Sequence, residues 1–548
     1  MPPQPPIRGP FRTDDRARAA YAEAAGIYRI IPRAACVPAD LEDLVALVRW
    51  AADERVPLIP RGAGSAMGGG NVGDGVVVDL SGMAGPAPRV TRATRRARMR
   101  AGASLGELDA VAAPHRLRLP PDPSSWRWAT AGGVVSTNAA GARSARYGSV
   151  RRWVEALELV TADGERAVLR RGAPPPRVAA LGRFARDAAP AIRNAAALIA
   201  ARFPRTRKSS SGYALDAWLA SENVIDLLIG AEGTLGFVTA VEWRLDVVPA
   251  HRAGMRIILR DYATLPEIVT QLLALEATSI ELLDRTFLDL VGQSGLVVSR
   301  GKPAEAVLLV ELEDDDVGRL RSRMESAVAV ARPLSHSVDA TLSEVAAEQL
   351  WRLRHAASPI LASLPPERRS LQVIEDGCVP VPRLGEYVAA VRAAARERDL
   401  DVVIFGHAGD GNVHVNLLPE LARADWEARV ASLLEAVTDA IVKLGGVPSG
   451  EHGDGRLRAG FLERVYGAEV VALFRQVKRA FDPLGILNPG IILPSGEPPI
   501  ARLKAGAGAA PLPTDIAAAL RDIERKGGYA TPRLTLADGA AHGSADDA

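Results

Sequence analysis

The sequence predicts an α+β protein of two or three domains, and three patterns carry that prediction. Apolar residues at helical spacing after Asp40 give way to short strand-like runs joined by a glycine-rich loop. Farther on, apolar runs at 305–312 and 402–417 read as strands, and 382–398 and 425–443 carry the apolar stripe of amphipathic helices. At 548 residues the chain is long enough for each domain to bury a core of its own.

In chain order, residues 1–38 form a Pro- and Arg-rich arm, expected to lie over a later domain. Asp40 is placed as the N-cap of a helix that carries Leu41, Leu44, Val45 and Val48 and ends near Glu54. A strand over Val56–Ile59 leads into Pro60-Arg-Gly-Ala-Gly-Ser-Ala-Met-Gly-Gly-Gly70, and Val76–Leu80 is the next strand. Glycines let backbone N–H groups approach an anion closely, and such a nest suits a pyrophosphate. The loop is not a Rossmann fingerprint, because position 67 is Met and no helix clearly follows; it is not a Walker loop, because Gly-Lys-Ser/Thr is absent. Taken alone, such a loop is more often just a turn. Small and hydroxylated residues recur over Pro121–Ser125, Ala129–Asn138, Gly141 and Arg146–Gly148, where an uncovered backbone could wrap an extended polar ligand. Leu157–Thr161 reads as a strand, and the glycine loop Gly230–Gly236 sits between two runs, Ile225–Ile229 and Phe237–Trp243, read as strands.

Chemistry-bearing residues concentrate in Phe405-Gly-His-Ala-Gly-Asp-Gly-Asn-Val-His-Val-Asn416. Asp-Gly between two apolar runs signals a hairpin, which brings His407 beside the second strand. His414 and Asn416, two apart, share one face, while Val413, Val415 and Leu417 pack on the other. Ser449-Gly-Glu-His-Gly-Asp-Gly455 adds an adjacent carboxylate and imidazole. Two histidines and Glu451 make a catalytic metal set with open positions, leaving His452 to move protons; a satisfied buried histidine pair is the competing reading.

Bulk properties narrow the function. The composition, 48% hydrophobic and 24% charged, is that of an ordinary globular protein. A net charge of +2 makes no case for nucleic acid or an anionic membrane as the main partner. Arginine heavily outnumbers lysine, which reads as coding bias. No apolar run suggests a signal peptide or a bilayer span, so a cytoplasmic location, at most peripheral to the inner face of the membrane, is the expectation. Cys36 and Cys378 are too few for a disulfide framework or a four-cysteine cluster.

Arg61-Gly-Ala-Gly-Ser65, the Asp122–Asn138 region, Ser211-Gly-Tyr213 and Gly230–Gly236 together resemble the FAD domain of the vanillyl-alcohol oxidase / p-cresol methylhydroxylase superfamily. His407–His414, Glu451-His452 and Asp482-Pro-Leu-Gly-Ile-Leu-Asn-Pro-Gly490 resemble its D-2-hydroxyacid dehydrogenase branch, which includes D-lactate, glycolate and D-2-hydroxyglutarate dehydrogenases. The resemblance runs in order from about residue 35 to 495. It implies a two-part p-cresol methylhydroxylase-type FAD-binding domain over 39–248. An α+β substrate (cap) domain with an antiparallel sheet follows at 249–445, then a C-terminal segment, 446–494, returning to the flavin. Residues 495–548, rich in Ala, Gly and Pro, are expected to be a partly disordered tail with one helix near 514–525.

The same resemblance assigns roles. Arg61, Gly62, Ala63, Gly64 and Ser65 would hold the FAD pyrophosphate. Pro121 and Asp122, with Ala129, Thr130, Gly132, Gly133, Ser136 and Asn138, would contact ribose and flavin, and Glu232, Gly233 and Asn488 would line the isoalloxazine side. His407, His414 and Glu451 match metal ligands, for zinc or another divalent metal such as manganese; His452 matches the catalytic base; Arg354 and Asn416 match residues that fix the substrate carboxylate. The flavin is expected to be non-covalent, because neither flavin loop has a His or Cys to attach it. The lysine that D-2-hydroxyglutarate dehydrogenases carry is replaced by Ile374, which argues against a second carboxylate on the substrate unless Arg368 or Arg369 substitutes. The implied activity is oxidation of a small (R)-2-hydroxy acid by hydride transfer to flavin N5, with electrons leaving to a separate iron–sulfur or quinone-linked acceptor; a homodimer is compatible. The alternatives are an oxygen-reducing oxidase, a non-catalytic FAD subunit of a larger redox complex and, more distantly, a flavin-free metallohydrolase.

Overall fold

The computed structural model of the chain describes residues 3–292, 304–355 and 357–539. Its first sheet has four strands in the order Phe11–Arg12, Ala34–Cys36, Val76–Asp79, Leu58–Arg61. The last three run parallel, and the first is antiparallel to its neighbour. Val76, Val77 and Val78 are all buried because the sheet is covered on both faces. Val76 and Val78 face the helix Leu41–Glu54, whose Asp40 cap accepts from the Asp43 N–H as expected. Val77 and Ile59 face the opposite way, onto Ala19 and Ala20 of the helix Asp15–Ala20 and onto Ile516, Leu520 and Ile523 of Thr514–Lys526.

Two expectations change here. Residues 1–38 lie over a later domain only in part: Ile27, Tyr28 and Ile30 join the core that holds Met255 and Leu308, but the segment also contributes two strands and a helix to this layer; Ala34-Ala35-Cys36 is too short and small to register as a strand by alternation. The tail does contain the expected helix, Thr514–Lys526, but the chain around it is packed: Arg533–Ala537 is a further helical turn, Arg16 pairs with Asp515 at 2.5 Å, and Arg12 pairs with Asp538 at 2.9 Å. Residues 540–548 of that tail lie outside the described residues.

A second, five-stranded antiparallel sheet follows, in the order Arg89–Thr91, Arg96–Arg100, Phe237–Arg244, Val154–Val160, Arg166–Arg170. Ala129–Asn138, expected as uncovered backbone, holds the helix Ala131–Ser136, begun by Thr130, whose hydroxyl accepts from the Gly133 N–H. The run Ile225–Ile229, expected as a strand, contains a single helical turn, Ile225–Leu228. The Asn223 side chain accepts from the Ile225 N–H, and Asp226 ties the turn to Arg151 and Arg171; a short apolar run does not distinguish strand from helix by period. The helix Ala468–Phe481 packs into this same core through Val470, Phe474, Val477 and Phe481, so the C-terminal segment does return to the first half of the chain.

The third sheet has seven antiparallel strands, in the order Ser335–Thr341, His251–Leu259, Ala306–Asp314, Ser279–Asp284, Asp401–His407, Asn412–Leu418, Gly377–Cys378. The helices Leu384–Glu397 and Trp426–Lys443, near the expected bounds, bury Leu384, Val388, Val391 and Val430, Leu434, Val437, Ile441 against it at helical spacing. Cys36 and Cys378 are buried free thiols. No helix among the described residues is long and apolar enough to cross a membrane.

Candidate active site

The hairpin Asp401–His407 / Asn412–Leu418 places the central side chains. Phe405 pairs with His414, Val403 with Asn416, and His407, two residues beyond Phe405, shares their face. Val413, Val415 and Leu417 point into the core on the other side. The turn closes at Gly411, in the left-handed region at φ +73°; a Cβ there would lie 2.0 Å from the Val379 carbonyl oxygen, so only glycine fits.

Glu451 reaches this face from its own glycine-flanked loop. Its Oε1 lies 3.1 Å from His407 Nε2 and 3.4 Å from His414 Nε2, and the two Nε2 atoms are 3.3 Å apart. The opposite ring nitrogens are engaged: His414 Nδ1 meets the Glu375 carbonyl oxygen at 2.6 Å, and His407 Nδ1 meets Glu281 Oε1 at 2.6 Å. A carbonyl can only accept, so His414 carries its proton on Nδ1; the carboxylate imposes the same tautomer on a neutral His407. Two ring lone pairs and a carboxylate then converge with no donor among them. Such a set can hold a cation at its centre, since its ligand atoms fall within the span a single metal ion bridges.

Without a cation at that point, the surrounding carboxylates charge His407 instead. Burial alone would lower His407, but Glu281 and then Glu451 outweigh it and raise the imidazole to about 9. Burial would raise Glu281, yet His407 and Arg354 hold it at about 2. Glu451 is kept well below the ordinary carboxylate range, against its burial, first by Lys208 and then by His407. His452 Nδ1 sits 2.5 Å from Glu375 Oε2, and its Nε2 lies 3.6 Å from Glu451 Oε1. Burial opposes its charging, but Glu375 and Asp376 raise it to about 10, a protonated state unsuited to a base. A divalent cation among the neighbouring ligands would oppose that proton.

These groups line a cavity of about 930 Å³, within the range of a cofactor site. The same cavity is lined by Arg61–Ser65, Pro121, Asp122 and the start of the helix Ala131–Ser136, and by Arg354 and Asn416. Residues 32–170 match the family described as "FAD binding domain", and residues 249–492 match "FAD linked oxidases, C-terminal domain". The chain belongs to the FAD-linked oxidases. It is 31% identical over 521 residues to the D-2-hydroxyglutarate dehydrogenase of Pseudomonas putida, with 89% of this chain aligned to 50% of that one, so it spans about half the length of that relative. It is 28% identical to the glycolate oxidase subunit GlcD of Bacillus subtilis, over 88% of this chain and 94% of the relative. To the D-lactate dehydrogenase of Archaeoglobus fulgidus it is 29% identical, over 85% and 93%. The solved structure of 4-ethylphenol oxidase from Gulosibacter chungangensis superposes with a TM-score of 0.62 at 14% identity, covering 88% and 94% of the two chains, a likeness of fold.

In this FAD-linked oxidase the flavin-side expectations can be placed residue by residue. Gly62, Ala63, Gly64, Ser65, Ala129, Thr130, Gly132, Gly133, Ser136, Glu232 and Gly233 line the cavity. Arg61 does too, but its guanidinium donates to the Glu23 carbonyl at 2.9 Å and lies under Gly64, whose φ is +81°. It shapes the loop, leaving backbone N–H groups to meet an anion. Asn138 and Asn488 are behind the wall. Asn138 donates to the Ser209 carbonyl at 3.2 Å, and Asn488 donates to the Gly70 and Glu232 carbonyls at 2.7 and 2.8 Å, bracing two cavity loops from beneath.

Sequence reasoning missed four groups that hold the site together. Glu281 fixes His407 and also accepts from Arg354 Nε at 2.7 Å; Glu375 fixes His452 and pairs with Arg458 at 2.7 Å. Asp376 accepts from the backbone N–H groups of Glu451 and His452. Lys208, buried, donates to Glu451 Oε2 at 3.0 Å. A charged residue inside an apolar strand, as in Ser279-Ile-Glu-Leu-Leu283, was the one signal available for Glu281.

Proposed function

We propose that this protein oxidises an (R)-2-hydroxy acid to the 2-oxo acid. The observation that carries the reading is the acceptor-only convergence of His407, His414 and Glu451 on the wall of the same cavity as the glycine loops. FAD, when bound, supplies acceptance of a hydride, and a divalent cation, zinc or manganese, supplies polarisation of the substrate hydroxyl. Gly62–Ser65 and Ala129–Ser136 would hold the first, and His407, His414 and Glu451 the second. His452 takes the hydroxyl proton at Nε2, its Nδ1–H anchored on Glu375. Arg354 fixes the substrate carboxylate: Glu281 occupies its Nε, its guanidinium lies over the Phe405 ring at 4.8 Å, and its two terminal nitrogens have no protein partner among the described residues. That is the geometry for a two-pronged grip. Asn416, steadied by the Ser370 hydroxyl at 3.3 Å, adds a further contact. With both cysteines buried and apart from the cavity wall, electrons leave to a separate acceptor.

Anaerobic mixing with 2-hydroxy acids of both hands tests the reading. The flavin should bleach with (R)-acids and not with (S)-acids; bleaching by neither would overturn it. Acid precipitation should leave all yellow colour in the supernatant, in keeping with a non-covalent flavin.

A further inference from the structure

Lys208 lies between the two family matches, and its side chain is buried against the candidate metal ligands. Its Nζ meets three acceptors: Glu451 Oε2 at 3.0 Å, the Gly141 carbonyl oxygen at 3.2 Å and Asp410 Oδ2 at 3.5 Å. That is one acceptor for each N–H of an ammonium, so the group is held in place from three sides. The backbone beside it is equally constrained. The Ser210 N–H donates to the Ser449 carbonyl at 3.0 Å, and the Ser210 hydroxyl donates to the Gly450 carbonyl at 3.2 Å. The chain after Lys208 therefore runs along the loop that carries Glu451. On the far side of that carboxylate, Oε1 faces the Nε2 atoms of His407 and His414 at 3.1 and 3.4 Å. Glu451 is divided, one oxygen toward the histidines and the other toward Lys208.

A carboxylate can ligate a cation through one oxygen or chelate it through both. Chelation by Glu451 would turn Oε2 toward the histidines, and Lys208 holds that oxygen on its own side. An ammonium beside a ligand carboxylate also opposes a cation bound by the other oxygen. Neither effect helps to retain a metal. Both suit a metal that must take up substrate oxygens, since three protein donors leave coordination positions open. We propose that Lys208 is a positioning residue that limits Glu451 to a single ligand oxygen, keeping a bound metal open to the substrate while lowering the protein's affinity for it. The proposal rests on the metal-assisted 2-hydroxy acid reading above. The competing role is that of a prop, in which Lys208 only keeps Glu451 in place. The two roles predict opposite signs when Lys208 is removed: loss of a prop weakens metal binding, and loss of the restraint strengthens it.

The test uses the full-length, FAD-loaded protein, stripped of metal by a chelator and reloaded with zinc. Lys208→Met keeps most of the apolar stem, and Asp410 retains the Ser144 hydroxyl at 2.6 Å and Arg207 at 3.8 Å. Zinc affinity, read by chelator competition, should rise in the variant by roughly 10–100-fold, the scale on which outer partners of a ligand tune a metal. Zinc X-ray absorption should show two imidazole nitrogens and one carboxylate oxygen from the wild-type protein, and a chelating carboxylate in Lys208→Met. Weaker or unchanged zinc binding in a folded, flavin-replete variant overturns the proposal, because Lys208 would then be a prop or a bystander. So does a chelating carboxylate in wild-type protein, a result that needs no variant and decides the matter should Lys208→Met fail to fold. Zinc bound without imidazole ligands in wild-type protein overturns the proposal and the metal reading together. If the zinc results come out as expected but no 2-hydroxy acid bleaches the flavin, Lys208 keeps its role toward the metal and the proposed reaction falls.

Discussion

At Glu281 one carboxylate sets two orientations, His407 through Nδ1 and Arg354 through Nε. Glu281→Gln should lower metal affinity roughly 10–100-fold, read by competition with a chelator, while the flavin spectrum stays intact; unchanged affinity would mean that Glu281 is only a buried counter-charge. His452 presents the opposite question, since Glu375, His414 and His452 also form a set that could hold a metal. His452→Ala should keep metal and flavin and lose flavin reduction by about 10²–10⁴-fold; a metal-poor variant restored by added zinc would make His452 a ligand instead. Glu232 is a matter of proton linkage. Its burial, and then the charge of Asp454, raise its carboxyl from 4.5 to about 8. Between those values the folded protein holds a proton that the unfolded chain releases. Its contribution is therefore complete below about 4.5 and is lost as pH rises through 8. Urea midpoints should fall more steeply over this window in wild-type protein than in Glu232→Gln, and parallel curves would show that Glu232 ionises normally. The sequence displayed His407, His414, Asn416, Glu451 and His452 because glycine loops and a two-residue period mark them. Glu281, Glu375 and Lys208 were hidden because only the tertiary fold brings them to the site.

The catalytic hairpin is the element on which most depends, and its weak point is Gly411. Gly411→Ala combines an unfavourable φ with a Cβ only 2.0 Å from a backbone oxygen that cannot swing away. A loss of about 3 kcal/mol or more is expected, seen as a lower urea midpoint together with reduced metal binding; normal stability would mean that the turn relaxes without moving His414. Elements with a long, clean period were legible: Leu41–Glu54, Leu384–Glu397 and Trp426–Lys443 fall close to their expected bounds. Short elements were not. Four buried apolar residues at Ile225–Leu228 fit strand and helix equally, and Asp226's ion pairs decided the matter from a distance. Thr130 hid a helix start within a segment that looked like open backbone.

At the scale of the whole molecule, the first sheet is clasped by two segments far apart in the chain, Asp15–Ala20 and Thr514–Lys526. The helix Thr514–Lys526 was legible, but its Ala-, Gly- and Pro-rich surroundings hid that the stripe Ile516, Leu520 and Ile523 covers one face of the first sheet. Ile516→Ala, at a fully buried site beyond both family matches, should cost about 2–4 kcal/mol by urea unfolding, whereas an unchanged midpoint would show that the clasp carries no stability. That clasp also orders events during synthesis. Ile59 and Val77 leave the ribosome long before Ile516 exists, and at roughly 5–20 residues per second the sheet waits on the order of half a minute with one apolar face bare. The wall formed by Arg521 and Glu524 is likewise translated long after the glycine loops. Until the helix Thr514–Lys526 has been made, a nascent chain therefore lacks part of the wall that encloses its cavity, with chaperones the natural guardians of the uncovered sheet in the interval.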